Sequence, residues 1–179
     1  MSHNSYSLSD WQGYLTHNEI EVIKNCVKKI KTKEPVCVNI GAGAGTSTLA
    51  MLEASDNSIV FSVDILTTGS EATTNEHLRI NESEYADTGR VIKIWGDSKI
   101  VGKRFPMEVD LVFVDGDHLK AGIEGDLVWF EHLKMGGFIL FHDYGSPNWP
   151  DVKIAVDEFA RQLGVTPIAQ VDTIIAFQV

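Results

Sequence analysis

Apolar residues recur at helical spacing near the start of the chain. Four of them lie three or four positions apart: Ile20, Ile23, Val27 and Ile30. Thr16 and Glu19 precede this run with the signature of a capping box, and Pro35 follows it as a helix breaker. The pattern predicts an amphipathic helix in an N-terminal helical segment, residues 1–34, of one domain that spans residues 1–179.

Short apolar runs, many of them rich in β-branched residues, follow at intervals along the rest of the chain. The predicted strands are Val36–Ile40, Ile59–Val63, Val91–Trp95, Val109–Val114, Phe138–Phe141, Val165–Ala169 and Thr173–Val179. The predicted helices between them are Thr46–Ala54, Thr74–Tyr85, Leu119–Leu133, which stops at Gly136-Gly137, and Asp151–Leu163, which stops at Gly164. Lys99–Glu108 contains Gly102 and Pro106 and is predicted to be a loop.

This order of elements predicts the fold class. Strands that alternate with helices indicate a mostly parallel sheet with helices on both faces. The last two strands are too close in sequence for a parallel crossover, so they predict a hairpin that adds an antiparallel strand. We therefore expect an α/β, Rossmann-like, seven-stranded and mostly parallel sheet with a C-terminal antiparallel strand.

The acidic composition narrows the choice of partners. The 179 residues include 25 acidic and 15 basic side chains, which gives a formal net charge of −10. Such a surface repels polyanions, so nucleic acid is a poor candidate substrate. Cys26 and Cys37 fall at apolar positions, which predicts buried, reduced thiols. A polar N-terminus and the lack of a spanning apolar run predict a cytoplasmic protein without a membrane partner, and leave open whether it forms a homo-oligomer.

Three glycines at alternate positions lie between the first strand and the next helix. Gly41, Gly43 and Gly45 allow a sharp turn and a close approach of the backbone to a ligand. The helix that starts at Thr46 offers free N–H groups and a positive dipole end, which suits a nucleotide-like ligand with a carboxylate or phosphate. A dinucleotide fingerprint needs glycine where Thr46 stands, so a dinucleotide-binding oxidoreductase is the weaker alternative.

Polar residues also follow successive predicted strands. They are Asp64, Gly96-Asp97-Ser98, Asp115 and His142-Asp143. Ligands of open α/β sheets bind beyond the carboxyl ends of the strands, so these groups should share one rim. Asp64 is placed to accept hydrogen bonds from ribose hydroxyls. Asp97 is placed to accept from the exocyclic amine of a purine, with the Ser98 N–H near a ring nitrogen. Each acid alone could be a cap or turn residue, but together they favour a ligand site.

These motifs resemble those of the class I S-adenosylmethionine-dependent methyltransferases. Motif I of that family corresponds to Asn39–Gly45, its ribose-binding acid to Asp64 and its adenine-binding turn to Gly96-Asp97-Ser98. The Asp-Gly-Asp-His sequence at Asp115–His118 and the His-Asp-Tyr sequence at His142–Tyr144 resemble the small-molecule branch of this class. The resemblance implies S-adenosyl-L-methionine as cofactor and O-methylation of a small hydroxylated acceptor.

The resemblance also implies a set of cofactor contacts. The corresponding residues are Asn39, Gly41, Ala42, Gly43, Gly45, Thr46, Asp64, Ile65, Gly96, Asp97, Ser98 and Asp115. Asn39 stands where the family has Asp or Glu. An amide cannot supply negative charge near the methionine amino group, so a lower cofactor affinity is expected. A non-catalytic module that only binds S-adenosylmethionine is therefore a further alternative.

Two means of deprotonating an acceptor hydroxyl are visible in the sequence. Asp115, His142 and Asp143 could bind Mg²⁺, which lowers the pKa of a hydroxyl and orients it. The branch places an acidic pair after the fifth strand, and His142 replaces its first member. Alternatively, His142 or His118, with Asp115 beside them, could take the proton directly.

The other histidines, two further acids and several aromatic residues are predicted to have structural or substrate-binding roles. His3, His17, His77 and His132 are interpreted as surface or capping residues. Asp117 is predicted to cap the helix near Leu119, and Asp126 is interpreted as structural. Tyr144 and Trp149 could form an apolar wall for an acceptor ring. Three segments are expected to select the substrate: Ile65–Arg90, Tyr144–Pro150 and the N-terminal stretch with Trp11 and Tyr14.

Overall fold

A mostly parallel sheet forms the centre of the molecule. The computed structural model describes residues 15–65, 85 and 88–179. The strands are β1 Val36–Ile40, β2 Ile59–Asp64, β3 Val91–Trp95, β4 Val109–Val114, β5 Leu133–Phe141, β6 Pro167–Val171 and β7 Ile174–Gln178. They form one seven-stranded sheet in the order β3-β2-β1-β4-β5-β7-β6. β7 runs antiparallel to both β5 and β6, and the other neighbouring strands are parallel. The predicted fold class is confirmed.

Helices cover both faces of this sheet, as predicted. They are α1 His17–Lys29, α2 Thr46–Ala54, α3 Ser98–Gly102, α4 Lys120–Asp126 and α5 Pro150–Leu163, with a 3₁₀ helix at Leu127–His132. α1 and α2 pack against one face, and α4, the 3₁₀ helix and α5 pack against the other. The predicted capping box of α1 is present between Thr16 and Glu19. Gly164 ends α5 in the left-handed conformation.

Two predictions about helices are wrong. Residues of the predicted loop Lys99–Glu108 begin with the short helix α3, because Asp97 caps it with Oδ1, which accepts the Lys99 N–H at 2.9 Å. The predicted helix Leu119–Leu133 is shorter and changes to 3₁₀ geometry after Asp126. The 3₁₀ turn fully buries Trp129, whose Nε1–H donates to the Ser98 carbonyl at 3.0 Å.

Several boundaries and one cap also differ from prediction. α1 ends at Lys29, before Pro35, because Ile30 is already extended. β5 begins at Leu133 and passes through Gly136-Gly137, where its register against β4 shifts. Asp117 does not cap α4, since its Oδ1 accepts the Leu119 N–H at 3.0 Å and Asp151 accepts the Lys120 N–H at 3.1 Å. The predicted helix Thr74–Tyr85 lies almost entirely outside the described residues.

The two cysteines lie in the hydrophobic core, as predicted. Both are free thiols, and Cys37 is fully buried in β1. Burial raises the pKa of both thiols, that of Cys26 to about 11, so neither is a reactive thiolate at neutral pH. Among the described helices, none has the length and apolar composition needed to cross a bilayer. The extent of the domain, residues 1–179, stays a prediction.

Candidate active site

A cavity of about 740 Å³ opens at the carboxyl edge of the sheet. It runs from the ends of β2 and β3 across β1 to the ends of β4 and β5. The predicted site residues that line it are Gly41, Gly43, Asp64, Ile65, Gly96, Asp97, Ser98, Asp115, His118, His142 and Asp143. The parallel strands thus bring the glycine loop, the strand-end acids and both candidate histidines to one cavity, as the strand-end rule predicts.

The glycine loop is shaped by close approach to β4. Gly41 has φ +79°, and a Cβ atom there would lie 2.0 Å from the backbone oxygen of Asp115. Gly43 has φ +50°, and its N–H donates to Asp64 Oδ2 at 3.2 Å. A Cβ at Gly43 would meet no atom within 4 Å, so the loop leaves open space above the cavity. This cradle, with Asp64 beside it, fits a nucleoside that carries ribose hydroxyls.

Four predicted cofactor residues do not line the cavity. Asn39, at the end of β1, Ala42 and Gly45, within the loop, and Thr46, at the start of α2, are buried away from the cavity. Side chains alternate along a strand, so Asn39 points away from the face of Ile40 and towards α2. Its Nδ2 donates to Thr48 Oγ1 at 2.8 Å, and its Oδ1 is buried without a hydrogen-bond partner among the described residues. In this structure Asn39 therefore contacts the scaffold.

One end of the cavity is built around Ser98. The Ser98 hydroxyl donates to Asp126 Oδ1, and both residues line the cavity. Burial raises the pKa of Asp126 to about 6, although the Ser98 hydrogen bond and Lys99 oppose this shift. The sequence indicates a structural role for Asp126, and the structure also places this residue at the cavity. Asp126 comes three residues after Ile123, so both lie on the buried face of α4. This spacing is the sequence signal that could have predicted a buried acid with a hydrogen-bond partner.

The other end of the cavity holds two carboxylates and two imidazoles. His142 Nδ1 lies 3.1 Å from Asp115 Oδ1 and 3.5 Å from Asp143 Oδ2. His118 Nε2 lies 2.9 Å from Asp143 Oδ2 and 3.6 Å from Asp115 Oδ1. We call these four residues the acid–imidazole cluster. Asp143 is held there at φ +58°, in the left-handed region that Asp and Asn adopt more readily than other residues with a side chain.

The carboxylates hold both imidazoles in the charged form. Burial opposes a charge on His142, but Asp115, Asp143 and Glu19 outweigh it and raise its pKa to about 12. Hydrogen bonds to Asp115 and Asp143 raise the pKa of His118 to about 9. The same contacts, first with His118 and then with His142, lower the pKa of Asp143. The cluster thus balances its negative charges with protons on the imidazoles.

A fifth ionisable residue contacts the cluster from behind. Glu19 Oε2 lies 3.5 Å from His142 Nε2, although Glu19 belongs to α1 and is only 1% exposed. Burial alone would raise the pKa of Glu19, but its hydrogen bonds, first of all with His142, lower it to about 2. The sequence identifies Glu19 as a capping-box residue. Its contact with His142 spans more than 120 positions, so no local pattern could reveal it.

Aromatic residues at the cavity divide into two roles. The Trp149 ring lines the cavity and stacks on His118, with centroids 4.6 Å apart and planes inclined by 26°. Tyr144 instead donates its hydroxyl to Asp157 at 2.8 Å on the surface of α5. His132 does not line the cavity; its ring contacts the Gly102 carbonyl at 2.8 Å.

Several residues named in the sequence predictions lie outside the described part of the chain. They are His3, Trp11, Tyr14, His77 and most of the segment Ile65–Arg90.

We expect the His118–Asp143 contact to make stability depend on pH. The pKa of His118 is about 9 in the folded protein and near 6.5 in the unfolded chain, so the contact stabilises fully below pH 6.5. This stabilisation is lost as pH rises from 6.5 through 9. It should amount to roughly 1–3 kcal/mol. Urea unfolding of the wild type and His118→Asn at pH 6.5 and 9.5 measures it. If the difference in the free energy of unfolding between the wild type and His118→Asn were as large at pH 9.5 as at pH 6.5, the proposed His118–Asp143 ion pair would be contradicted.

Comparisons with known proteins match this fold. A family model described as a methyltransferase domain matches residues 38–144, more than half of the chain. No curated protein matches the chain in sequence. A Staphylococcus aureus protein provisionally described as a caffeoyl-CoA O-methyltransferase is 17% identical, with a TM-score of 0.72 over 93% of this chain and 84% of that one.

Two further solved structures share the fold. The O-methyltransferase NovP is 20% identical, with a TM-score of 0.70 over 89% of this chain and 78% of that one. The O-methyltransferase TomG from Streptomyces achromogenes, solved in complex with S-adenosylmethionine, is 15% identical, with a TM-score of 0.69 over 92% of this chain and 81% of that one. At these identities the likeness concerns the fold.

Proposed function

This chain belongs to the family of methyltransferase domains, and on that premise we propose that it methylates a hydroxyl oxygen of a small molecule with S-adenosylmethionine as methyl donor. One observation carries the proposal: a single cavity joins the glycine loop and Asp64 to the acid–imidazole cluster. A methyl donor at one end and an acceptor at the other would then meet within the same cavity. The structural neighbours described as O-methyltransferases support this choice.

The chain's residues divide the binding task between the two ends of the cavity. When bound, S-adenosylmethionine supplies a methyl group on a sulfonium, which a nucleophile displaces in line. Asp64 would accept hydrogen bonds from the ribose, and Gly41 and Gly43 allow the loop backbone to approach the donor. Asp97 and Ser98 would hold the purine. Trp149, stacked on His118, would form a wall for the acceptor.

An acceptor oxygen is the nucleophile that best fits the acid–imidazole cluster. A hydroxyl is a poor nucleophile until its proton is removed or its charge is stabilised, so an O-methyltransferase needs groups that handle a proton. The cluster provides carboxylates and imidazoles in contact with one another. A small acceptor is supported by the cavity of about 740 Å³ and by the net charge of −10, which disfavours nucleic acid.

We further propose that Asp115, His142 and Asp143 bind a divalent metal ion. Each offers one donor atom, and the three atoms lie within 4.8 Å of one another. On the far side of the ring, Nε2 of His142 faces Glu19, in the manner of imidazole ligands whose second nitrogen donates to a carboxylate. The imidazole donor favours Mn²⁺, Co²⁺ or Zn²⁺ over the Mg²⁺ expected from sequence, because Mg²⁺ prefers oxygen ligands. When bound, such an ion lowers the pKa of an acceptor hydroxyl.

A metal-free route would depend on His118. Its contact with Trp149 and its place on the cavity wall support a position next to a bound acceptor. The pKa of about 9 means that His118 holds a proton at neutral pH, so it would act as a base only in its minor neutral form. The pKa of His142 is about 12, which makes His142 a poorer candidate for this role.

A methyl-transfer screen over catechols, sugars and flavonoids tests these proposals. We expect S-adenosylhomocysteine to bind in a calorimetric titration and at least one hydroxylated acceptor to be methylated. Dialysis against EDTA should reduce turnover at least tenfold, and Mn²⁺ should restore it better than Mg²⁺. Activity indifferent to EDTA would remove the metal and leave His118 as base. Failure to bind S-adenosylhomocysteine would contradict the proposed function itself.

A further inference from the structure

We infer that Glu19 is a positioning residue of the active site, which fixes the imidazole of His142 from the N-terminal helix. The inference rests on the proposed function only for the consequence that turnover depends on Glu19. The contact itself is a property of the fold. Glu19 lies outside the region matched by the methyltransferase family model, residues 38–144. It would make α1, on one face of the sheet, part of the machinery at the sheet's edge.

The Glu19 carboxylate joins three separate parts of the chain. Oε2 accepts the Thr16 N–H at 2.8 Å within the capping box. Oε1 accepts both the N–H and the hydroxyl of Thr173, at 2.9 and 2.7 Å, in the turn between β6 and β7. Oε2 also faces His142 Nε2 at 3.5 Å. With these contacts made, the carboxylate has little freedom to move, and His142 Nε2 therefore meets a fixed acceptor. Thr173 Oγ1, which donates its proton to Glu19, also lies 3.4 Å from the same nitrogen.

Fixing Nε2 in this way fixes the whole ring. Nδ1 of His142 then faces Asp115 and Asp143, at 3.1 and 3.5 Å, where the cavity lies. A flipped ring would present carbon atoms to the carboxylates on both sides and lose these contacts. The buried carboxylate therefore selects the orientation that directs Nδ1 to the cavity. This is how partners behind an imidazole commonly set the nitrogen that reacts or binds a metal.

The helix cap alone does not explain a buried carboxylate. Glutamine serves equally well at this position of a capping box, and a buried charge costs free energy unless it is paired. Among the described contacts of Glu19, His142 is the one that can carry a matching positive charge. Substitution by glutamine removes the negative charge that faces Nε2. Its one amide oxygen, placed where Oε2 lies, can still accept the Thr16 N–H, while its NH2 group replaces the acceptor that Thr173 uses.

The first experiment compares Glu19→Gln with Thr16→Ala, both assayed with the acceptor found in the screen. Glu19→Gln should lower kcat about 10- to 100-fold while the KM for S-adenosylmethionine changes less than about threefold. Thr16→Ala removes the side-chain half of the cap, so it should lower the melting temperature and leave kcat near wild type. Equal effects of the two variants on kcat would assign Glu19 a purely structural role and overturn the inference.

A second measurement needs no enzymatic activity. ¹⁵N-histidine labelling and NMR of the protein with bound S-adenosylhomocysteine should report a protonated Nε2 of His142 in the wild type. In Glu19→Gln the signals of both ring nitrogens should shift, and in Thr16→Ala they should not. An unchanged His142 ring in Glu19→Gln would overturn the inference even if the protein is a methyltransferase. A changed ring without methyl transfer to any acceptor would contradict the proposed function and retain the positioning contact.

Discussion

Gly41→Ala is expected to abolish binding of S-adenosylhomocysteine and to lower the free energy of unfolding by roughly 3 kcal/mol or more. The added Cβ would lie 2.0 Å from the Asp115 carbonyl oxygen, a backbone atom just beyond the end of the neighbouring strand β4. Neither partner is a flexible side chain that could move aside. The loop must therefore shift away from β4, and the cradle formed by Gly43 and Asp64 shifts with it.

Gly136→Ala is the matched control for this effect. Gly136 also has a positive φ, +82°, but a Cβ there would meet no atom within 4 Å, and the residue lies away from the cavity. Gly136→Ala should lower the free energy of unfolding by about 1–2 kcal/mol, the cost of a left-handed conformation for alanine, and should leave the cofactor affinity unchanged. Urea unfolding and calorimetric titration measure both quantities. A Gly41→Ala variant that binds normally and loses no more stability than Gly136→Ala would contradict the close-approach argument.

The sequence predicts strands better than the connections between them. β1, β3 and β4 have the predicted boundaries because each is a nearly continuous apolar run flanked by polar or turn residues. β1 and β4 are buried in the centre of the sheet, whereas β3 is a partly exposed edge strand. α3 was missed because one capping contact from Asp97 outweighs the glycine and proline that predict a loop. The 3₁₀ turn depends on where Trp129 finds its hydrogen-bond acceptor, which is a tertiary contact.

The candidate site shows the same division between local and long-range information. A simple rule about strand ends brings Asp64, Asp97, Asp115 and His142-Asp143 to one cavity. The family resemblance implies that Asn39 contacts the cofactor, and this stays a prediction; in the structure its side chain donates to Thr48. Sequence patterns do not identify Glu19 as a site residue, because it contacts His142 only through the tertiary packing of α1. Family motifs therefore identify the rim of the cavity, and the packing of α1 decides what lies behind it.

Charge in the acid–imidazole cluster connects its stability to its chemistry. Asp115, Asp143 and Glu19 surround His142, and without a metal the proton on each imidazole offsets their charge. A metal at Asp115, His142 and Asp143 would take over this role, and its binding would release the proton from His142 Nδ1. Removal of one carboxylate should consequently weaken every function of the cluster at once, while the distant cofactor end of the cavity keeps its contacts.

Asp143→Asn is expected to lower kcat by about 10²–10⁴-fold with the affinity for S-adenosylhomocysteine changed less than about threefold. Asparagine has nearly the same size and tolerates the left-handed conformation, φ +58°, that Asp143 adopts. The backbone should therefore stay in place, and the variant removes only the negative charge. His118 then loses its negatively charged partner at 2.9 Å, and the proposed metal has a neutral amide oxygen in place of one of its two carboxylate donors.

Asp117→Asn provides the control for a change of charge within the same cavity. Asp117 also lines the cavity, but it accepts the Leu119 N–H at 3.0 Å and lies outside the acid–imidazole cluster. We expect its kcat to stay within about threefold of wild type, because an amide oxygen can accept the same hydrogen bond. Steady-state kinetics and calorimetric titration of both variants decide the matter. If Asp143→Asn retained more than half of the wild-type kcat, or if both variants lost turnover equally, the cluster would not be the site of the reaction and the acceptor would have to bind elsewhere along the cavity.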